Sequence, residues 1–378
     1  MECMTMLQTA PRPAPAPVRS LTGWDHLELW VGNARAVSHF LQAGFGFACV
    51  AYSGPETGVR DRVAYLLEQG KIRILVSAGL DEHSEIARHV YYHGDGVRTV
   101  AFAAADVDGA FESAVRMGAK PIEAPRDLTD AAGSLRTASI ATYGATRHAF
   151  VDRRGYDGRF APGFTAEGLP EVRVGEPVGL AAIDHVVANV GEGRLDEWSA
   201  WYAMVFGFTE LRHFDADQIS TEYSALRSSV MWNGGDIKLP INEPAPGRRK
   251  SQIQEFLDSY HGAGVQHIAL ATSDIVRSVD ELKRRGVRFL VPPTSYYEHA
   301  QARCAGLDLP WADLERLGIL VDVDGGGHLL QVFTETLMDR PTLFLEMIQR
   351  EGATGFGEGN FKALFEAIEH EQARRGNL

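Results

Sequence analysis

HGDGVRTVAF, residues 93–102, and HGAGVQHIAL, residues 261–270, share one frame: His-Gly, a variable residue, Gly-Val, a polar residue, then an apolar run. A helical pattern follows each. In DVDGAFESAVRMGAKPI the apolar residues Val107, Phe111 and Val115 recur at helical spacing, as do Ile275, Val279 and Leu282 in DIVRSVDELKRRGVRFL, and a Gly closes both. A second pair behaves alike. DHLELWVGNA from Asp25 and DHVVANVGEG from Asp184 each read as strand, helix and Gly-Phe turn. His267 lies 168 residues after Thr99, and His185 lies 159 after His26, so the chain is a duplication with modest insertions. Short alternating runs bounded by Gly come after each helix. The unit is therefore strand–helix–several strands, starting four times, near Trp24, Gly96, Ala182 and Gly264. The expectation is an α+β fold of duplicated βαβββ modules.

At 378 residues the chain is long enough for two ordinary domains. Residues 1–20, with an Ala/Pro alternation, read as a flexible tail. Residues 21–155 form the first pair of units, 156–179 a Gly/Pro-rich linker, and 180–378 the second pair. A closing helix is expected in GNFKALFEAIEHEQARRG, with Asn360 as its cap and Phe361, Leu364, Phe365 and Ile368 on one apolar face. PPTSYYEHAQARCAGLDLPWADLERLG reads as an insertion in the second half. No apolar run approaches the ~20 residues of a membrane span. The N-terminus has no basic start or apolar core of a secretory signal. A net charge of −13 without a basic stripe argues against nucleic acid or anionic lipid as partner. Three scattered cysteines, Cys3, Cys49 and Cys304, with no CxxC, fit a reduced, cytoplasmic protein.

Chemistry concentrates in three residues. His185 in IDHVVANV shares a strand face with Ile183 and Val187, and His267 in GVQHIALAT shares one with Val265 and Ala269. A lone inward histidine is usually a satisfied core residue; two at equivalent positions of adjacent repeats point to one cavity. Glu346 in PTLFLEMIQR alternates with Phe344 and Ile348, so a carboxylate falls among apolar side chains, where it costs several kcal/mol without a partner. Arg350 sits ~13 Å further along the strand, which favours a metal as that partner. Two imidazoles and one carboxylate are the ligand set of non-haem Fe(II) oxygenases, and they leave positions open for a bidentate 2-oxo acid and O2. By ligand type alone Zn, Mn and Ni stay open. The first half keeps His26 and offers Asp152 in RHAFVDRR as the candidate counterpart of Glu346, but Thr99 replaces the middle imidazole, so that half reads as a structural and interface copy without metal.

TRHAFVDRRGYDG, KLPINEP, KSQIQEFL, GAGVQHIAL, LLQVFTE and GFGEGNFKALFEAIE together make the chain resemble the 4-hydroxyphenylpyruvate dioxygenases of the vicinal-oxygen-chelate fold, over nearly all of its length after the tail. The resemblance implies two open-barrel domains plus a C-terminal helix. It implies one Fe(II) per chain on His185, His267 and Glu346, and a pocket matching Ser224, Asn242, Gln252, Gln266, Gln331, Phe333, Phe344, Phe356 and Phe361. Of these, Gln252, Gln266, Gln331, Phe333 and Phe361 carry the catalytic roles. Gln266 neighbours His267, so ideal alternation sends it to the opposite face, and a bulge is required if it reaches substrate. The implied substrates are an aromatic 2-oxo acid and O2, the products homogentisate and CO2 in tyrosine catabolism, and the assembly a homodimer or homotetramer. α-Helical residues from Phe361 are the implied lid.

Three alternatives stand beside this reading. Hydroxymandelate synthase uses the same iron and substrate but oxidises the benzylic carbon, and tends to carry a smaller aliphatic residue where this chain has Phe361. A metal-free member of the fold would sequester a small molecule. A Zn or Ni lyase or isomerase of the glyoxalase type would turn over without oxygen.

Overall fold

The computed structural model describes residues 18, 20–169, 174–216, 220, 221, 223–293, 295–324 and 326–377. The expected tail over 1–20 therefore lies outside the described residues apart from Val18 and Ser20.

The first unit is β1 (Leu21–Trp30), α1 (Ala34–Phe45), β2 (Ala48–Ser53), β3 (Arg62–Gln69) and β4 (Ile72–Gly79). Helix α2 (Glu85–His93) leads into the second: β5 (Gly96–Ala104), α3 (Val107–Arg116), β6 (Pro121–Asp130), β7 (Gly133–Ala141) and β8 (Arg147–Asp152). The third unit is β9 (Leu180–Asn189), α4 (Leu195–Phe206), β10 (Thr209–Phe214), β11 (Ala225–Trp232) and β12 (Lys238–Ala245), followed by α5 (Gln252–Tyr260). The fourth begins with β13 (Gly264–Thr272) and α6 (Ile275–Arg284). The expected insertion then supplies α7 (Ser295–Arg303) and α8 (Trp311–Leu317), before β14 (Leu320–Asp324), β15 (Gly327–Phe333) and β16 (Phe344–Glu351) complete the unit. The closing helix is α9 (Phe361–Arg374).

Two eight-stranded sheets result, ordered β2-β3-β4-β1-β5-β8-β7-β6 and β10-β11-β12-β9-β13-β16-β15-β14. Adding eight to every strand number turns the first into the second, so the fold is four βαβββ units in two pairs. Local chemistry sets the helix starts: Asn33, Asp106 and Asp274 accept hydrogen bonds from the amides of Ala36, Gly109 and Arg277. The Gly-Phe turn is needed on two grounds at Gly46. Its φ of 73° is left-handed, and a Cβ there would stand 2.1 Å from the Glu176 carbonyl oxygen of the segment between the halves.

The core runs without a break from one half to the other. Phe102 of β5 packs on Phe206 of α4, and Tyr202 of α4 donates its hydroxyl proton to Nε2 of His148 on β8, 2.6 Å away, while His148 Nδ1 donates to Val100 O. Val18, buried, donates its N–H to Val205 O of α4. The halves also exchange contacts reciprocally: His93 Nδ1 donates to Tyr260 O at 2.7 Å and His261 Nδ1 to Tyr92 O at 2.6 Å. These are the two histidines that begin the paired HG motifs.

The closing helix has its predicted apolar face but not its predicted cap. Asn360 is itself in helical conformation, at the end of a 3₁₀ turn, and makes no side-chain cap bond. Its Oδ1 instead accepts from the Tyr296 hydroxyl of α7 at 2.6 Å, and its Nδ2 donates to Gln331 Oε1 at 3.4 Å. The residue spends its side chain on tying the insertion and α9 to β15.

Candidate metal centre and its cavity

Strands β9, β13 and β16 lie side by side, β13 in the middle. Ala269 of β13 is opposite His185 on one side and Glu346 on the other, and His267 stands two residues before it. Two pleat positions on the central strand and one on each neighbour thus bring three side chains to a point. The small buried Ala269 leaves room between them. His185 Nε2 lies 3.3 Å and His267 Nε2 3.4 Å from the same Glu346 oxygen, and the three ligand atoms all lie within 4.8 Å of one another.

The donor set fits a divalent metal. Ligands about 2.1 Å from a metal on adjacent octahedral vertices are ~3 Å apart, close to the separations here. Each imidazole also has its Nδ1–H committed, to Asp184 Oδ1 at 2.7 Å for His185 and to Gln266 Oε1 at 3.1 Å for His267, so both Nε2 atoms face Glu346. Burial alone would raise the Glu346 carboxyl, but the two imidazoles outweigh it and hold it below its ordinary range. Burial lowers His267. His185 goes the other way: burial opposes it, but Glu346 and Asp184 raise it. These directions favour an ionised Glu346 and a neutral His267, the forms that ligation uses.

Outside this triad lies a layer that sequence spacing did not reveal. Arg350 forms a bidentate pair with Asp184, 2.7 and 2.8 Å, donates to Gly355 O at 2.5 Å and lies over the Phe356 ring. Phe356 meets His185 edge to face. Arg350 is thus the partner of Asp184 on the next strand but one, not of Glu346. The available signal was the Asp-His pair repeated at residues 25–26 and 184–185.

The triad sits in the wall of a cavity of about 80 Å³. Asn242, Gln252, Gln266, Gln331, Phe333, Phe344, Phe356 and Phe361 all line it. Gln266 reaches the cavity because the β9–β13 pairing slips between Val265 and His267, the bulge that its position demanded. Phe344 stacks on His267 with ring centroids 4.7 Å apart, and Phe361 meets Phe214 edge to face. Ser224 is a correction. It precedes β11, beyond the cavity, and its hydroxyl donates to Glu369 of α9 at 2.6 Å. The serine that lines the cavity is Ser228, on the alternation Leu226, Ser228, Val230. Both serines share strand parity, so only the point where the strand begins separates them.

In the first half the same construction carries different residues. His26 occupies the place of His185, opposite Ala101, and Thr99 that of His267. Ala101 is opposite Ala149 on β8, so Ala149, not Asp152, corresponds to Glu346; Asp152 pairs with Arg154 near the surface. The outer layer is kept: Asp25 accepts from His26 Nδ1 at 2.6 Å and from Arg153 at 2.7 and 2.8 Å, and Arg153 lies over Phe160.

Comparison with known proteins gives the family. Residues 182–306 match the model of the Glyoxalase/Bleomycin resistance protein/Dioxygenase superfamily. The chain is 43% identical to a 4-hydroxyphenylpyruvate dioxygenase of Aspergillus fumigatus, covering 98% of each chain, and 44% identical to one of Dictyostelium discoideum, covering 95% of this chain and 100% of that one. Among solved structures, a triply substituted variant of 4-hydroxymandelate synthase from Streptomyces coelicolor superposes with a TM-score of 0.83 at 34% identity, covering 93% of this chain and 99% of that one.

Proposed function

The chain belongs to the 4-hydroxyphenylpyruvate dioxygenase family, and from that membership we propose that His185, His267 and Glu346 hold one Fe(II) at which 4-hydroxyphenylpyruvate and O2 become homogentisate and CO2. The observation that carries the reading is the buried set of two Nε2 atoms around one carboxylate oxygen, in the wall of a cavity faced with phenylalanines and amides. Bound there, ferrous iron supplies the redox chemistry that couples loss of CO2 from a 2-oxo acid to oxidation of the ring by O2.

The protein's own residues do the rest. Asp184 and Gln266 fix the imidazole tautomers, so that both Nε2 lone pairs face the carboxylate. Gln252, Gln331, Asn242 and Ser228 offer donors and acceptors for a phenol and a carboxylate, while Phe333, Phe344, Phe356 and Phe361 confine an aromatic ring. Gln331 is positioned by Asn360, which sits immediately before α9. The free volume of about 80 Å³ is below the ~300 Å³ or more usual for ligand pockets, and a shift of Phe361, Leu364 and Phe365 of α9 would enlarge it to admit substrate. Their return excludes water.

The 34% identity to a hydroxymandelate synthase variant makes benzylic oxidation the second reading. Phe361, wedged against Phe214 at the cavity wall, narrows the freedom of the ring and favours ring oxidation. No helix among the described residues is long and apolar enough to cross a membrane; we place the enzyme in the cytoplasm, in tyrosine breakdown, as a dimer or tetramer. Aerobic incubation of purified protein with Fe(II) and 4-hydroxyphenylpyruvate, with chromatography of the product, tests the assignment. Homogentisate with stoichiometric O2 uptake is expected. 4-Hydroxymandelate would replace the product assignment, and turnover without oxygen would sink the dioxygenase chemistry.

A further inference from the structure

We propose that the first half carries a second small-molecule site, a cavity of about 420 Å³ that takes a monocarboxylate with an apolar body. The cavity occupies the place in the first half that the metal cavity occupies in the second: His26, Thr99 and Ala149, the counterparts of the triad, line it. Its volume is that of an ordinary ligand pocket.

The interior is not a relic filled by side chains. Where the second half has Val187, His267 and Phe344, the first has Glu28, Thr99 and Arg147, joined by bonds of 2.8 Å from Thr99 to Glu28, 2.8 Å from Arg147 to Thr99 and 3.2 Å from Arg147 to Glu28. Ser77 donates to the other Glu28 oxygen at 2.9 Å. This fixed cluster cannot ligate a metal as the triad does, but it leaves polar atoms facing the cavity. His26 uses only Nδ1, so its Nε2 makes no hydrogen bond among the described residues. Ser139, 2% exposed and lining the cavity, has a hydroxyl with no partner among the described residues. A buried polar group without a partner is uncommon, and the Ser139 hydroxyl shares its cavity with the open Nε2 of His26.

Charge specifies the ligand. Of the guanidiniums lining the cavity, Arg153 is matched by Asp25, Arg147 by Glu28, and Arg126 by Glu123 at 3.7 Å. Glu85, also in the wall, is matched by Arg98. Arg62 alone has no carboxylate partner among the described residues. One unmatched positive charge at the exposed edge, with Phe160, Phe164 and Leu135 deeper in, suits a molecule with one carboxylate and an apolar remainder. This inference is independent of the metal chemistry assigned to the other half.

Isothermal titration of the full-length protein with benzoate, and with benzamide as the neutral isostere, tests it. Benzoate should bind one to one and benzamide about tenfold or more weakly, with Arg62→Ala weakening benzoate by about tenfold. Ala149→Phe, which fills the cavity, should abolish binding. Gln331→Ala, in the other cavity, should leave it unchanged. Arg62 is exposed, so Arg62→Ala decides the matter even if Ala149→Phe fails to fold. Absence of saturable benzoate binding, equal affinity for benzamide, or loss of binding in Gln331→Ala but not in Arg62→Ala would each overturn the assignment.

Discussion

Replacing Asp184 by Asn, with Asp25→Asn as an internal control, separates orientation of a ligand from stabilisation of the fold. Asp184 accepts two bonds from Arg350 and one from His185; Asp25 accepts two from Arg153 and one from His26, at nearly the same distances. Asparagine keeps the size but turns one acceptor into a donor and removes the counter-charge of a largely buried guanidinium. Breaking such a pair costs about 3 kcal/mol, the lower end of the usual range because Arg350 and Arg153 retain some solvent contact. Urea denaturation of metal-stripped protein should show that loss in both variants. Competition against a chelating dye should show metal affinity reduced about 10–100-fold in Asp184→Asn alone, because only there is the oriented imidazole a ligand. The reasoning fails if Asp25→Asn weakens metal binding equally, or if Asp184→Asn leaves it untouched.

His148, pushed down to about 4 by burial, predicts acid sensitivity. The unfolded chain takes up this proton near pH 6.5 and the folded chain near 4, so the contribution is complete above pH 6.5. It is lost as pH falls toward 4, by about 3 kcal/mol, and His148→Phe should flatten the fall of the thermal midpoint over that interval. Ser228→Ala should raise KM several-fold by removing a cavity-lining hydroxyl, whereas Ser224→Ala should leave substrate contacts alone and speed hydrogen exchange in α9, since it loosens the bond to Glu369. His267→Ala should abolish O2 uptake and lower metal affinity without unfolding the chain, measured by dye competition and circular dichroism; retained turnover would remove the triad from the chemistry. Phe361→Leu should shift product from homogentisate toward 4-hydroxymandelate on chromatography; an unchanged ratio would show that ring placement is set elsewhere.

The repeat was legible because a βαβββ unit imposes the same alternation and the same helix closure wherever it occurs. The triad was legible because a carboxylate among Phe344 and Ile348 and two equivalent inward histidines are costly unless they meet. What was hidden depends on pairing across strands. Asp152 lies three residues past the true counterpart of Glu346, and only the β5–β8 register, Ala101 opposite Ala149, shows it. Arg350 looked remote from Glu346 along its own strand, while its partner Asp184 came from another strand altogether. Ser224 and Ser228 have the same parity, so the choice rested on where β11 begins. Gln266 was the reverse case: alternation alone placed it outside, and the local slip in pairing turned it inward.

The reciprocal bonds between His93 and Tyr260 and between His261 and Tyr92 have a consequence for descent. Contact of one residue with the partner's counterpart, and of that counterpart back, is the pattern of a two-fold dimer of identical subunits. Joined in one polypeptide, the two repeats are free to differ from one another. A substitution at Thr99 or Ala149 then changes one barrel and spares its twin, and it leaves the seam between them, where His93 and His261 donate to backbone carbonyls, untouched.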